Sequence, residues 1–380
     1  MAQDSDPEHE YFQSNPKPKV LQKHSTLVRE FIQQHAGENR RVALVTSGGT
    51  TVPLETNMVR FVDNFSAGTR GATSAEYFLD AGYAVIFLHR EFSLLPYSRH
   101  YSHSVNCFLD FMSENDKGLV EVSSEYQQKM TKVLGQYKNA RKANKLLLIP
   151  FTTVNDYLWE LREIATLMQP LRSSALFYLA AAVSDFFIPA ERMAEHKIQS
   201  SEEFNRSAAS GDANGSHRPP AARIQDKSLV IDLDPVPKFL KSLVDGWAPE
   251  GMIVSFKLET DPSLLVQKAQ YALKKYSHHL VIGNLLSTRK WEVVFVSAQS
   301  PDHWIRVPRN KRTRSFSGVP KHVGLASADG AHKDSGSLLD GGGDGEEVEI
   351  VMGEPSVEIE SMIIPEVAEL HSKHMGNGKT

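Results

Sequence analysis

The sequence predicts an α/β fold: a doubly wound, Rossmann-like, mostly parallel sheet with helices on both faces. Six short apolar runs, at residues 42–46, 84–88, 146–151, 175–183, 252–257 and 280–282, read as strands buried on both sides. Helix-patterned stretches at 20–35, 71–81, 125–140, 156–168, 235–243 and 262–276 alternate with them. Parallel strands need such crossovers, and the helices then cover the sheet.

The first helix carries an apolar stripe of Leu21, Leu27, Val28, Phe31 and Ile32. In the stretch 156–168, Leu158, Leu161, Ile164, Ala165 and Met168 share one face. Asp261-Pro262 sets an N-cap acceptor before a proline at the first helical position. Three segments read as disordered: a polar arm at 1–19, an insertion at 200–222, and a longer insertion at 298–345. Each is too poor in apolar residues to offset its ordering entropy. Residues 347–352 alternate like a strand, and 357–374 read as a closing helix despite Pro365. The expected organisation is one domain over 20–297, completed by 346–375, with a tail at 376–380.

Composition narrows the function. The chain has 380 residues, 41% apolar and 23% charged, with a formal net charge of −4, which gives neither nucleic acid nor an anionic membrane a reason to bind. A single cysteine, Cys107, excludes an internal disulfide and a multi-cysteine metal site. The first nineteen residues lack the features of a secretory or transit peptide, and no run reaches the length of a membrane span. A cytoplasmic protein is expected. The basic run 309–314 reads as a solvated loop, with a nuclear-targeting or phosphorylation-controlled signal as the alternative.

Ligands of open α/β sheets bind beyond the carboxyl ends of the strands. Beyond the first strand comes TSGGTT (46–51), and later RFVDNFSAGTRG (60–71) runs into a helix. Gly48 and Gly49 let backbone approach a ligand, and Ser66, Gly68 and Gly71 precede or open a helix whose amides favour an anion. Together they make a phosphate cradle, unless they are only connecting turns. AAAVSD (180–185) ends a buried strand, its small residues leaving space for a carboxylate or amide. Asp185 there either faces a cavity or caps a turn. SFKLETD (255–261) and Gly283-Asn284 complete the edge, while Lys197 and Lys238 offer charge to a triphosphate or are plain surface lysines.

Other chemistries fit poorly. The GxGxxG dinucleotide fingerprint is absent, although Arg90 would suit a 2′-phosphate and keeps an NADP-dependent oxidoreductase as the competing reading. There is no Walker A sequence, no GxSxG elbow and no HExxH pattern, so no protein metal centre is expected.

The blocks VTSGGTTVPLE, VRFVDNFSAGTRGATSAEYFLDAGY, FYLAAAVSDFFIPAERMAEHKIQS, SFKLETDP and VIGNLLSTRK resemble, in order, those of eukaryotic phosphopantothenoylcysteine synthetases. The resemblance spans about 41–297, with a weaker match at 357–375. It implies a ligase of coenzyme A biosynthesis that joins 4′-phosphopantothenate to L-cysteine through an acyl-nucleotide, using a nucleoside triphosphate and Mg2+. Subfamily membership points to ATP, with CTP as the alternative. Carried over by motif, Gly48, Ser66, Gly68, Gly71, Phe256 and Asn284 surround the nucleotide. Asn64, Ala181, Ala182 and Asp185 hold phosphopantothenate, with Asn64 orienting the reacting carboxylate. Lys197 and Lys238 stand near the phosphates and a flap. Arg60 reaches the neighbouring subunit's site, which implies a homodimer built on dimerisation strands. A scaffolding role in a coenzyme A-synthesising complex, through the insertions, is the remaining alternative.

Overall fold

The computed structural model describes residues 7–102, 108–199, 221–225, 228–308 and 355–377. Most of the 200–222 insertion, the expected strand at 347–352, the basic run at 309–314 and Cys107 lie outside them.

Eight strands form the central sheet: β1 (Val42–Ser47), β2 (Ala84–Arg90), β3 (Leu146–Phe151), β4 (Ala175–Leu179), β5 (Met252–Glu259), β6 (Leu280–Leu285), β7 (Glu292–Val296) and β8 (His303–Arg306). Their spatial order is β3-β2-β1-β4-β5-β6-β7-β8. β1 to β6 are mutually parallel, and β7 pairs antiparallel with both β6 and β8. The strand order reverses between β1 and β4, the point at which doubly wound sheets open a crevice.

The apolar runs are continuous because both faces are covered. Val42 and Leu44 of β1, Ile86 of β2 and Phe177 of β4 point into one core with α2 (Leu21–Gly37) and α5 (Val154–Met168). Their neighbours Ala43, Val45, Phe87 and Tyr178 point into the other, with α3 (Thr69–Asp80), α4 (Ser124–Lys142) and α7 (Glu360–Asn377). A smaller cluster lies under α6 (Pro262–Tyr276). Thr153 and Asp156 close a reciprocal capping box at the start of α5, and Asp261 accepts from the Ser263 N–H at 2.9 Å ahead of Pro262 in α6.

Three expectations need correction. The arm expected to be disordered holds α1 (Pro7–Ser14), whose Tyr11 and Phe12 are buried against Phe187, Phe239 and Trp159. Two aromatics give no helical stripe, so only the tertiary pocket reveals their role. The insertion expected from 298 starts later, because β8 seals the edge of the sheet with Ile305 and Val307 buried. The helix expected at 235–243 is shorter, with α-helix only at Phe239–Ser242 and a π turn at Leu243–Trp247. Asp234–Pro235 pairs instead with Phe186–Phe187, anchoring the chain beyond β4.

Candidate active site

The site grows from the way β1 and β4 leave the sheet. Beyond Ser47 and Leu179 the two strands stop pairing regularly, yet their loops stay joined. Ala182 N–H donates to Gly48 O at 2.8 Å and Thr50 N–H donates to Ala182 O at 3.0 Å. Thr46 Oγ1 accepts from Ala181 N–H at 3.1 Å, and Thr50 Oγ1 accepts from Ser184 N–H at 2.9 Å. Polar threonine side chains thus hold the AAAVS backbone across the crevice, which ends β4 earlier than its apolar run predicts. Ala181 and Ala182 are half-buried at this crest, and Asp185 is exposed just beyond it. Val236 N–H donates to Asp185 O at 2.9 Å, bringing the Lys238 segment beside that strand end.

The start of α3 packs directly on the end of β1. Ser47 Oγ donates to Gly68 O at 3.0 Å, and Gly68 N–H faces Ser66 Oγ at 3.4 Å. Gly68 has φ 82° and Gly48 φ 86°, so both occupy the left-handed region that favours glycine. A Cβ on Gly48 would lie 2.7 Å from Arg90 Cβ, and one on Gly49 would lie 1.7 Å from Asn64 O. The glycine-rich loop, the Asn64 turn and the α3 N-terminus therefore form one surface of closely stacked backbone. A helix N-terminus so placed favours an anion.

Phe256 and Asn284 line the same side. Phe256 stands opposite Ile282 in register, and Asn284 lies two residues further on, so both share the α3 face of the sheet. The Phe256 ring meets Tyr178 edge-on at 5.1 Å, with the Arg70 guanidinium 5.9 Å from its centre. Asn284 is only 6% exposed. Gly283 plays a packing part, since a Cβ there would lie 2.8 Å from Val294.

The remaining candidates lie at the rim. Asn64 is half-buried, its N–H donating to Thr50 O at 3.2 Å. Lys197 and Lys238 are both exposed. Arg60 Nη1 bonds within its own chain to Glu55 Oε1 at 3.0 Å and to Ile198 O at 2.8 Å. Arg90, the residue that favoured NADP, is engaged by Asp63, its Nη1 donating to Oδ2 at 2.7 Å.

Sequence reasoning missed four residues that shape this edge: Ser47, Glu55, Asp63 and Arg70. Arg70 Nη1 donates to Glu360 Oε1 at 2.8 Å, and its Nη2 donates to Arg289 O, so it ties the site helix to α7 and to the loop after β6. All four lie inside the blocks quoted above or beside them. Nothing in their spacing signals their contacts.

Comparison with known proteins decides the family. The Saccharomyces cerevisiae phosphopantothenate–cysteine ligase CAB2 is 51% identical over 304 residues, covering 79% of this chain and 80% of that protein. The Homo sapiens phosphopantothenate–cysteine ligase is 40% identical over 290 residues, covering 75% and 85%. The chain belongs to the phosphopantothenate–cysteine ligase family. A solved Cab2 mutant in complex with phosphopantothenate-cysteine superimposes with a TM-score of 0.75 at 44% identity, covering 98% of this chain and all of that one. No protein-family model matches the chain. For a phosphopantothenate–cysteine ligase family member, the meeting of the β1, α3 and β4 ends at the sheet's switch point is where ligands are expected. Among the described residues no helix is long and apolar enough to cross a membrane.

Proposed function

We propose that this chain condenses 4′-phosphopantothenate with L-cysteine in coenzyme A biosynthesis, driven by a nucleoside triphosphate. The observation that carries the reading is the likeness, across almost the whole chain, to a Cab2 structure holding phosphopantothenate-cysteine. A carboxylate resists nucleophilic attack, so it must first be activated. Its oxygen attacks the α-phosphorus of the nucleotide, the bond to the β-phosphate breaks, and pyrophosphate leaves. The cysteine amine then attacks the acyl carbon, loses a proton to solvent, and expels the nucleoside monophosphate. Such a reaction needs positioning and charge stabilisation more than a covalent intermediate.

In this reading Gly48, Ser66, Gly68 and Gly71 cradle the phosphates against stacked backbone, while Phe256 and Asn284 receive the base. Asn64, Ala181, Ala182 and Asp185 hold phosphopantothenate along the β1–β4 crest, with Asn64 orienting the carboxylate. Lys197 and Lys238 bring charge to the triphosphate. Mg2+ keeps most of its waters and takes phosphate oxygens, so it would arrive with the nucleotide rather than occupy a protein cage. ATP is the expected nucleotide, from the subfamily, with CTP as the alternative.

A homodimer is supported by the hairpin of Thr51–Pro53 and Phe61–Asp63, which exposes Met58, Val59, Phe61, Val62 and Phe65. Phe65 is 97% exposed, and a cluster of apolar side chains on one hairpin suits burial by a second copy. Arg60 lies on that hairpin and would reach the partner's site through the guanidinium nitrogens that Glu55 and Ile198 leave free. The cytoplasm is the expected compartment.

The test is pyrophosphate release by purified protein with cysteine and Mg2+, comparing ATP with CTP. Release that requires 4′-phosphopantothenate supports the reading, and the faster nucleotide identifies the cosubstrate. No release with either, from folded dimer, overturns it.

A further inference from the structure

Glu55 is a fully buried carboxylate at the tip of the site hairpin, with none of its surface exposed. Its Oε2 accepts from the Arg60 N–H at 2.8 Å and the Val59 N–H at 3.3 Å. Its Oε1 accepts from Arg60 Nη1 at 3.0 Å and from the Ile198 N–H at 3.1 Å. Arg60 Nη1 also donates to Ile198 O, so guanidinium, carboxylate and Ile198 peptide close a ring of hydrogen bonds. Backbone bonds from Thr56 N–H to Ala194 O and from Asn57 N–H to Glu195 O zip the same two segments together. Burial would raise the carboxyl pKa, but the bonds from Arg60, Ile198 and Val59 outweigh it and lower the pKa below its ordinary value.

A buried charge is tolerated only when its lone pairs are satisfied, and here the four donors come from two segments far apart in sequence. One bears Arg60 and the exposed apolar hairpin. The other bears Lys197. Both cations have been assigned to substrate phosphates or the neighbouring site, and both sit on loops that would wander if unpinned. We propose that Glu55 is a positioning residue for the ligase reaction: it locks Arg60 and the Lys197 segment into one rigid unit, so that each cation is held in place for the site it serves. This rests on the ligase reading given above.

The test uses the full chain in four forms: wild type, Glu55→Gln, Arg60→Ala and the double variant. Glutamine keeps the volume but replaces one accepting oxygen with an NH2 donor that faces a donor N–H. Steady-state rates are measured against 4′-phosphopantothenate and nucleotide, and trypsin cleavage after Lys197 is timed on native protein. For Glu55→Gln, KM for both substrates rises about tenfold, as loss of a charge-assisted hydrogen bond predicts. Cleavage after Lys197 also accelerates about tenfold, from the same lost contact. The double variant is no worse than Arg60→Ala, because the two residues act as one unit. Unchanged KM and unchanged cleavage in folded Glu55→Gln overturn the proposal. So do additive effects, or a fall in kcat that merely tracks lost folded protein. If Glu55→Gln does not fold, Arg60→Ala must still expose Lys197 to trypsin, and failure to do so is equally fatal. A wild-type protein that releases no pyrophosphate defeats the ligase reading, while the trypsin comparison still judges the lock.

Discussion

Gly71 lies against Ser47 so closely that a Cβ on Gly71 would come within 2.5 Å of both Ser47 Cβ and Oγ, and within 3.0 Å of Thr46 O. The first turn of α3 thus sits on the end of β1 with no room for a methyl group. Neither backbone can yield without moving the Ser47–Gly68 bond that ties the start of α3 to the end of β1. Gly71→Ala should therefore cost about 1–3 kcal/mol by overpacking. It should also weaken nucleotide binding more than phosphopantothenate binding. Urea unfolding measures the first effect and separate KM values the second.

Asn64 tests the chemistry apart from the fold. Its backbone fills the space left by Gly49, and that contact survives truncation of the side chain. Asn64→Ala should lower turnover by about 10²–10³-fold, the usual effect of losing one oriented hydrogen-bond donor. The melting temperature should stay within about 2 °C of wild type, as expected where little stability is lost. Rates within a factor of about two of wild type would remove Asn64 from its role, since that is too small for a lost transition-state contact.

The sheet was legible because physics made it so. Strands covered on both faces carry unbroken apolar runs, and β1, β2, β3 and β6 stand close to where those runs lie. α6 coincides with the predicted 262–276 because Asp261 and Pro262 mark its start within the local sequence. The failures arise where pairing and packing outweigh local composition: α1 is held by the distant Phe187 and Trp159, and β8 by its hairpin pairing with β7. Glu55 reads as an ordinary loop glutamate until Ile198 arrives from 143 positions away. The glycines of the site were visible individually. Their stacking on Ser47, Asn64 and Arg90 was not, because no local pattern encodes which turn meets which.

Arg99 carries the attachment of the C-terminal segment. Its guanidinium donates to Glu76 through Nε and Nη2 at 2.8 and 2.9 Å, and to Glu358 through Nη1 at 2.6 Å. Glu76 also accepts from the Tyr97 N–H at 2.6 Å and contacts His100 at 3.0 Å. Burial would raise the Glu76 pKa, but His100, Arg99 and Tyr97 hold it below its ordinary value. Arg99→Ala strands a buried carboxylate and should cost about 3 kcal/mol. Amide exchange should show the segment from 355 to 377 losing protection before the sheet does.

That same helix should make the fold sensitive to acid. His371 is wholly buried, its Nε2–H donating to Ser173 O at 2.9 Å and its Nδ1 accepting from Tyr83 OH at 2.9 Å. His279 takes the Ile253 N–H on Nδ1 and packs edge-on against His374 at 4.6 Å, while His278 meets Ser255 Oγ at 2.7 Å. Burial lowers the pKa of His278, His279 and His371 to about 4 each, with neighbouring histidines adding to it. The unfolded chain binds protons near pH 6.5 and the folded chain near 4, so stability is fully present above about 6.5 and falls with pH across that window. The loss approaches about 1.4 kcal/mol per pH unit for each histidine, less where the three share their charge. Urea unfolding at pH 7.5, 6 and 5 measures the slope. His371→Gln, which can still donate to Ser173 O, should flatten it. An unchanged slope in that variant would show that other groups carry the acid sensitivity.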